Sequence, residues 1–243
     1  MVESTIAGSG VLTRFLAFVV LFVACGITTV YAALNDRRGT LSIEIWRYVV
    51  VAMGTGMVYA VVGGYELLGP TALSAATLAG TRQVFQLFFI ILISLSMREL
   101  YYRLPYRDSE SALLSHGRAR LLEVAFMAIV FIEFVVVISI GLTVAVQAIQ
   151  AVASLAFAGY GISFAAGTRA GAMASGTVID SLLVRFIAVL TCLGAAGVLE
   201  GSALLGLPSS LVAGAATVFI IMAATFLLTL ALRLKANVET VSA

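Results

Sequence analysis

Residues 121–166 read LLEVAFMAIVFIEFVVVISIGLTVAVQAIQAVASLAFAGYGISFAA, a 46-residue apolar run interrupted by only two charged side chains, Glu123 and Glu133. As one helix it would reach about 69 Å at 1.5 Å per residue, more than twice the roughly 30 Å hydrocarbon core of a bilayer. The run therefore predicts two membrane-crossing helices, 121–142 and 146–166, joined by a tight turn between Gly141 and Ala145. Outward from it, further stretches of roughly 20 predominantly apolar residues fall near 11–34, 46–68, 83–103, 181–203 and 210–233. The chain is 62% hydrophobic and 11% charged, against about 45–50% and 25% in soluble domains. The expected fold is an all-α integral membrane protein of seven transmembrane helices, multi-pass in the cell membrane. Residues 1–243 form a single domain whose first partner is the lipid bilayer.

The fourth span stands alone between two sets of three that match each other. Tyr31, Ala32 and Ala33, followed by Arg37 and Gly39, return as Phe164, Ala165 and Ala166, followed by Arg169 and Gly171, with one residue deleted. Arg47, Val51, Gly56 and Gly63 reappear at a constant offset of 138 as Arg185, Val189, Gly194 and Gly201. The second span of each set closes on Leu-Leu-Gly, Leu67 to Gly69 and Leu204 to Gly206, and Pro70 or Pro208 follows. Ala79, Gly80, Val84 and Phe85 share their spacing with Ala213, Gly214, Val218 and Phe219. Small apolar residues match by chance in such a composition, but Arg37/Arg169, Arg47/Arg185 and Arg98/Arg233 are drawn from only 14 Lys and Arg. The pattern predicts a parallel 3+1+3 internal repeat: repeat one 11–103, linker helix 121–142, repeat two 146–235.

Loops retained in the cytoplasm accumulate Lys and Arg. Arg37, Arg38 and Arg47 follow the first span, and Arg98, Arg103, Arg107, Arg118 and Arg120 follow the third. Arg169 and Arg185 flank the link between the fifth and sixth spans, and Arg233 and Lys235 lie at the C-terminal end. Only Arg14 and Arg82 fall on the other side, which puts the N-terminus outside and the C-terminus in the cytoplasm. The polar start has no basic stretch before its apolar core and does not read as a cleavable signal peptide. Trp46, Tyr101, Tyr102 and Tyr106 are expected as interfacial anchors, and Cys25 and Cys192 as buried thiols rather than a disulfide. Gly159, Ser163, Gly167, Gly171 and Ser175 recur every four residues and predict a helix–helix seam. Gly54, Gly56, Gly63 and Gly64, with Gly194, Gly197 and Gly201, predict equivalent close contacts in the two repeats. All three prolines fall in connections, so no proline-broken helix is expected.

Glu133 lies about twelve residues into the fourth span, roughly 18 Å along it and close to the bilayer centre. A carboxylate there costs several kcal/mol unless it is paired, hydrated or protonated. It is expected to be neutral, to face the bundle beside a pseudo-symmetry axis, and to bond to Ser94, Ser96, Thr28 or Thr191. Two roles stay open for it, a proton or cation relay and a satisfied structural contact. A second group, Gln86, Gln147, Gln150 and Tyr59, places amides and a phenol in the outer half of the bundle, either knitting helices or holding a neutral solute. Glu66 and Glu200 occupy corresponding places near the outer ends of the second and sixth spans and are expected to be exposed. Arg185 is expected to pair with Asp180 or to reach the cytoplasmic surface.

The lone histidine, His116, falls in a cytoplasmic loop, which excludes paired histidine ligation of a buried haem, and no metal-ligand cluster is present, so neither cofactor nor metal is expected. The sole lysine, Lys235, is terminal, which excludes a retinal pigment of the microbial rhodopsin type, held by a lysine within the seventh helix. Without a Gly-x-Ser-x-Gly elbow, an HExxH or a phosphate-cradling loop, the chain is not expected to be an enzyme. Nothing points to nucleic acid. The duplicated three-helix layout resembles, in architecture only, the seven-helix sugar transporters and the receptors that retrieve proteins to the endoplasmic reticulum. Their proline-glutamine signature is missing, so no residue role carries over. Two functions remain: a bundle that binds or passes a proton or small solute between its repeats, with Glu133 protonatable, and a non-transporting sensor or assembly subunit. The second would act through a cytoplasmic protein partner at the Arg98 to Arg120 loop. The sequence carries no signal for an oligomeric state.

Overall fold

The apolar run does divide at Gly141. The computed structural model describes residues 2–37, 43–68, 73–103, 114–170 and 178–240. In it Gly141 adopts φ 79°, and its N–H donates to the Val137 carbonyl, as a left-handed residue does where it ends a helix. Thr143 opens the next helix, its Oγ1 accepting from the Val146 N–H at 3.3 Å, the role of an N-cap. The turn is also docked, because the Leu142 N–H donates to the carbonyl of Ala76.

The described residues form seven α-helices: α1 (Val2–Arg37), α2 (Ile43–Glu66), α3 (Ala75–Arg103), α4 (His116–Ile140), α5 (Val144–Ala170), α6 (Val178–Ser202) and α7 (Ser209–Thr240). All seven are long and apolar enough to cross a membrane. α1 starts about two and a half turns before the expected 11, and α3 about two turns before the expected 83. The expectation took Arg82 for the edge of the bilayer, whereas the helix continues past it because two carboxylates neutralise it there. His116, expected in a loop, is the first residue of α4. The central part of the Arg98 to Arg120 loop, with Tyr106, lies outside the described residues.

Six helices close into a ring in the order α1, α2, α3, α5, α6, α7 and back to α1, with α3 also touching α6 across it. Two seams join the two sets of three. Along one, Thr28 and Asn35 of α1 donate to the carbonyls of Leu227 and Leu234 of α7. Along the other, Ser94 of α3 donates to the carbonyl of Phe157 of α5, and Tyr101 stacks edge-on against Phe164. Both seams keep a constant register over two turns, so their helices run parallel.

α4 lies outside the ring, against α3. Of the most apolar window of α3, 67% is buried, against 22% for α4, so α3 is the central span and α4 a peripheral one. The expected place of Glu133 beside a central axis is therefore corrected: the fourth span flanks the ring. The seam expected along Gly159, Ser163 and Gly167 is also corrected. A Cβ on Gly159 would meet nothing within 4 Å, and α5 instead buries a face that includes Gln150, Ser154, Phe157, Gly161 and Phe164. Gly171 and Ser175 lie outside the described residues. Of the glycines expected in close contacts, Gly56, Gly63, Gly194, Gly197 and Gly201 make them, since a Cβ on any of these would collide with a neighbouring helix, whereas a Cβ on Gly54 would meet nothing and one on Gly64 only ordinary contact. Trp46 and Tyr101 are buried in the core rather than set at an interface. Cys25 and Cys192 are free, buried thiols.

Candidate functional site

Arg82 is almost completely buried, and its guanidinium is shared between two helices besides its own. Nε donates to Glu66 of α2 at 2.6 Å, and Nη1 to Glu200 of α6 at 2.6 Å. The expectation that Glu66 and Glu200 are exposed is thereby overturned; Glu200 is only 7% exposed. Because they end the second helix of each set, ring closure turns both toward the same point on α3. Two carboxylates against one guanidinium leave one formal negative charge in excess. Arg14 of α1 pairs with neither carboxylate.

Helical spacing extends this cluster into a polar layer. Arg82, Gln83 and Gln86 share a face of α3, Gln147, Gln150 and Ser154 a face of α5, and Gly197, Glu200 and Gly201 a face of α6, since residues three and four apart are neighbours on a helix. All of these but Arg82 line one cavity of about 10 Å³, close to the least space that holds a single water. The α6 glycines let the helices approach: a Cβ on Gly197 would overlap Ser154, and one on Gly201 would overlap Ala151. Gln86 donates to the Leu193 carbonyl at 2.9 Å, and Gln147 to the Glu200 carbonyl at 2.8 Å. Three of the four residues expected in the second polar group thus meet here. The fourth, Tyr59 of α2, is fully buried edge-on to Phe18 at 5.6 Å and lies beside the Arg82–Glu200 pair, within electrostatic reach of both and of Arg14.

Several buried atoms of this layer lack any hydrogen-bond partner among the described residues. They are Gln83 Oε1, both amide atoms of Gln150, and Glu200 Oε2. An unpartnered buried polar atom costs about 1–3 kcal/mol, more if charged, so their convergence on one cavity calls for a polar occupant.

Glu133 is 4% exposed. It sits on the buried stripe of α4 with Ala119, Glu123, Val130 and Val137, so it faces the ring and not lipid. Both of its oxygens are buried and without a partner among the described residues. The hydroxyls expected to hold it are engaged elsewhere: Ser94 with Ile90 and Phe157, Ser96 with Ile93, Thr28 with Ala24 and Leu227. Thr191 is exposed and bonded to Ile187. Register gives Glu133 different neighbours. Phe126 against Phe157 and Glu123 against Tyr160 set α4 antiparallel to α5, and the same register carried outward pairs Glu133 with Gln150. On α3, Gly80 against Val137 and Phe85 against Phe134 put it level with Gln86.

A separate polar clamp holds the arginine-rich end. Arg98 of α3 pairs with Glu123 of α4 at 2.8 Å, and the Tyr160 hydroxyl of α5 donates to the same carboxylate at 2.9 Å. Asp180 pairs with Arg169 at 2.9 Å and is also within electrostatic reach of Arg185, which donates to Thr229 and to the Ser181 carbonyl. Among the described residues no group of three His, Cys, Asp or Glu could hold a metal ion.

The sequence reading missed Arg82, Glu66, Glu200, Gln83 and Ser154 as members of one site. The available signal was the matched placement of Glu66 and Glu200 near Arg82, one of only two arginines on that side. Comparison with protein-family models, with curated proteins and with solved structures gave no match, so the chemistry must be argued from this geometry.

Proposed function

We propose that the chain is a non-enzymatic bundle of the cell membrane that passes a proton or one small ion between two three-helix repeats, with its N-terminus outside and its C-terminus cytoplasmic. The observation that carries this reading is the polar layer: buried, unpartnered side-chain atoms of α3, α5 and α6 around one cavity, with an equally unpartnered carboxyl, Glu133, at the same height on α4. Intramembrane ionisable residues are costly and mark ion or proton routes by default. A cavity of about 10 Å³ argues against a sugar-sized solute and for a proton or a single small ion. Two features support the repeat. Gly63 packs on Phe18 of α1 as Gly201 packs on Ala151 of α5, and the α1–α7 and α3–α5 seams are equivalent under exchange of the triplets. Parallel repeats commonly build transporters around a central site.

The test is flux into liposomes holding the full chain and a pH-sensitive dye. Wild type is expected to pass protons above the rate of empty liposomes, and Glu133→Gln to lower that rate by at least about tenfold, the equivalent of 1.4 kcal/mol in a barrier. Equal rates in the two would remove Glu133 from the route, and wild-type flux at the empty-liposome level would sink transport altogether. One observation favours the sensor or subunit reading: α4 is peripheral, and its exposed Arg118 and Arg120 border the loop expected to dock a cytoplasmic protein. Crosslinking from Arg118 and Arg120 would then recover one specific protein.

A further inference from the structure

We propose that the cavity between α3, α5 and α6 is a binding site for one sodium-sized monovalent cation. The inference names the ion of the site described above and rests on its reading as a polar site between the repeats.

The argument is one of elimination among possible occupants. The cavity presents two needs at once. The Arg82, Glu66 and Glu200 cluster has one negative charge in excess, and the Glu200 oxygen not used by Arg82, Oε2, is buried without a partner. Beside it, Gln83 Oε1 and Gln150 Oε1 are also unpartnered, on side chains 7% and 4% exposed. All three are oxygen acceptors. A water would bond to them but leave the charge. A proton on Glu200 would cancel the charge but, with a single O–H to donate, could satisfy only one of the two amide oxygens. A hard monovalent cation meets both needs, because oxygen ligands are what such ions take. Ser154, which lines the same cavity, can add a fourth oxygen. The space, about 10 Å³, suits sodium better than the larger potassium. Gln150 Nε2 is the one donor left over, and register puts the unpartnered Glu133 carboxyl at the height of that amide. Gln150 therefore stands between the ion site and the protonatable residue.

The test is equilibrium binding of radioactive sodium to the purified full chain in detergent, together with its thermal unfolding in equal concentrations of sodium, potassium and choline chloride. Wild type is expected to bind sodium saturably, one ion per chain. Its Tm is expected to rise by about 3–6 °C in sodium over choline at ten times the Kd, with a smaller rise in potassium. Gln150→Leu removes the unpartnered amide and leaves the ion pairs intact, and is expected to weaken sodium binding at least tenfold; Glu200→Gln should do the same. If Glu200→Gln does not fold, the wild-type ion series and Gln150→Leu still decide. Saturable binding that survives in Gln150→Leu, or equal Tm in all three salts, overturns the proposal. A Tm that depends on pH and on no metal ion also overturns it, since a proton then balances the cluster. Loss of the sodium effect with Glu133-dependent flux intact would remove this inference alone, whereas sodium binding without flux would remove transport alone.

Discussion

Arg82 shows how a single side chain can be misread by its type and corrected by its neighbours. An arginine inside an apolar span is costly, so the natural reading ends the span beside it. Its cost is met by Glu66 and Glu200, which the sequence places near the ends of the second and sixth spans but cannot aim. Aim comes from ring closure, which brings the end of α2 and the end of α6 to the same face of α3. Removing one partner of such a cluster strands the others, a loss of about 3–5 kcal/mol. Arg82→Leu is therefore expected to destabilise the protein by that order in detergent unfolding. Adding Glu66→Gln and Glu200→Gln to the same chain should restore most of it, because no buried charge is then left unpaired. An Arg82→Leu protein as stable as wild type would mean that the carboxylates are hydrated and the layer is not closed. Glu133 was legible in its inward aim, which follows from helix period. Its neighbours were not, because Ser94 and Thr28 had nearer carbonyls one turn back and across the parallel seams.

At the scale of elements, the sequence specified helices well and faces less well. Length and the Gly141 turn divide the central run correctly, because hydrocarbon thickness bounds a span and a left-handed glycine ends one. A four-residue stripe of small side chains does not say whether it meets a helix or lipid: Gly159 meets nothing, while Gly161, two residues on, would drive a Cβ into Ser94. Likewise Trp46 and Tyr101 have the residue types of an interfacial belt but are core, since the faces of α2 and α3 that carry them are buried against neighbouring helices. α4 is the element most dependent on specific contacts. Beyond Phe85 against Phe134 and the Gly80 approach, it is held at its start by Arg98, Glu123 and Tyr160. A double-mutant cycle with Arg98→Met and Glu123→Gln is expected to give a coupling of about 1–3 kcal/mol. In Glu123→Gln, hydrogen exchange should quicken in α4 while α6 and α7 stay unchanged. Strictly additive single effects would show that apolar packing alone holds α4.

At the scale of the molecule, the fourth helix has a topological role that does not depend on what it contacts. Three crossings leave the chain on the wrong side to start another triplet in the same orientation, and one more crossing corrects this. α1 and α5 then start at the same end, as do α3 and α7, which is why both seams between the triplets run parallel. A peripheral α4 fulfils that role as well as a central one would. The same parity puts the two ends of α7 on opposite sides, with Arg233 and Lys235 near one end and Ser209 at the other. Because cytoplasmic flanks collect basic residues, Glu239 should face the cytoplasm and Ser209 the exterior; both are exposed. With Cys25 and Cys192 replaced by alanine, Ser209→Cys is expected to react with an impermeant maleimide on intact cells. Glu239→Cys should react only after permeabilisation. The opposite pattern would reverse the orientation and leave the ring standing. Equal labelling of both on intact cells would break the crossing of α7 itself, and with it the parity that lets two like-oriented triplets share one polar layer.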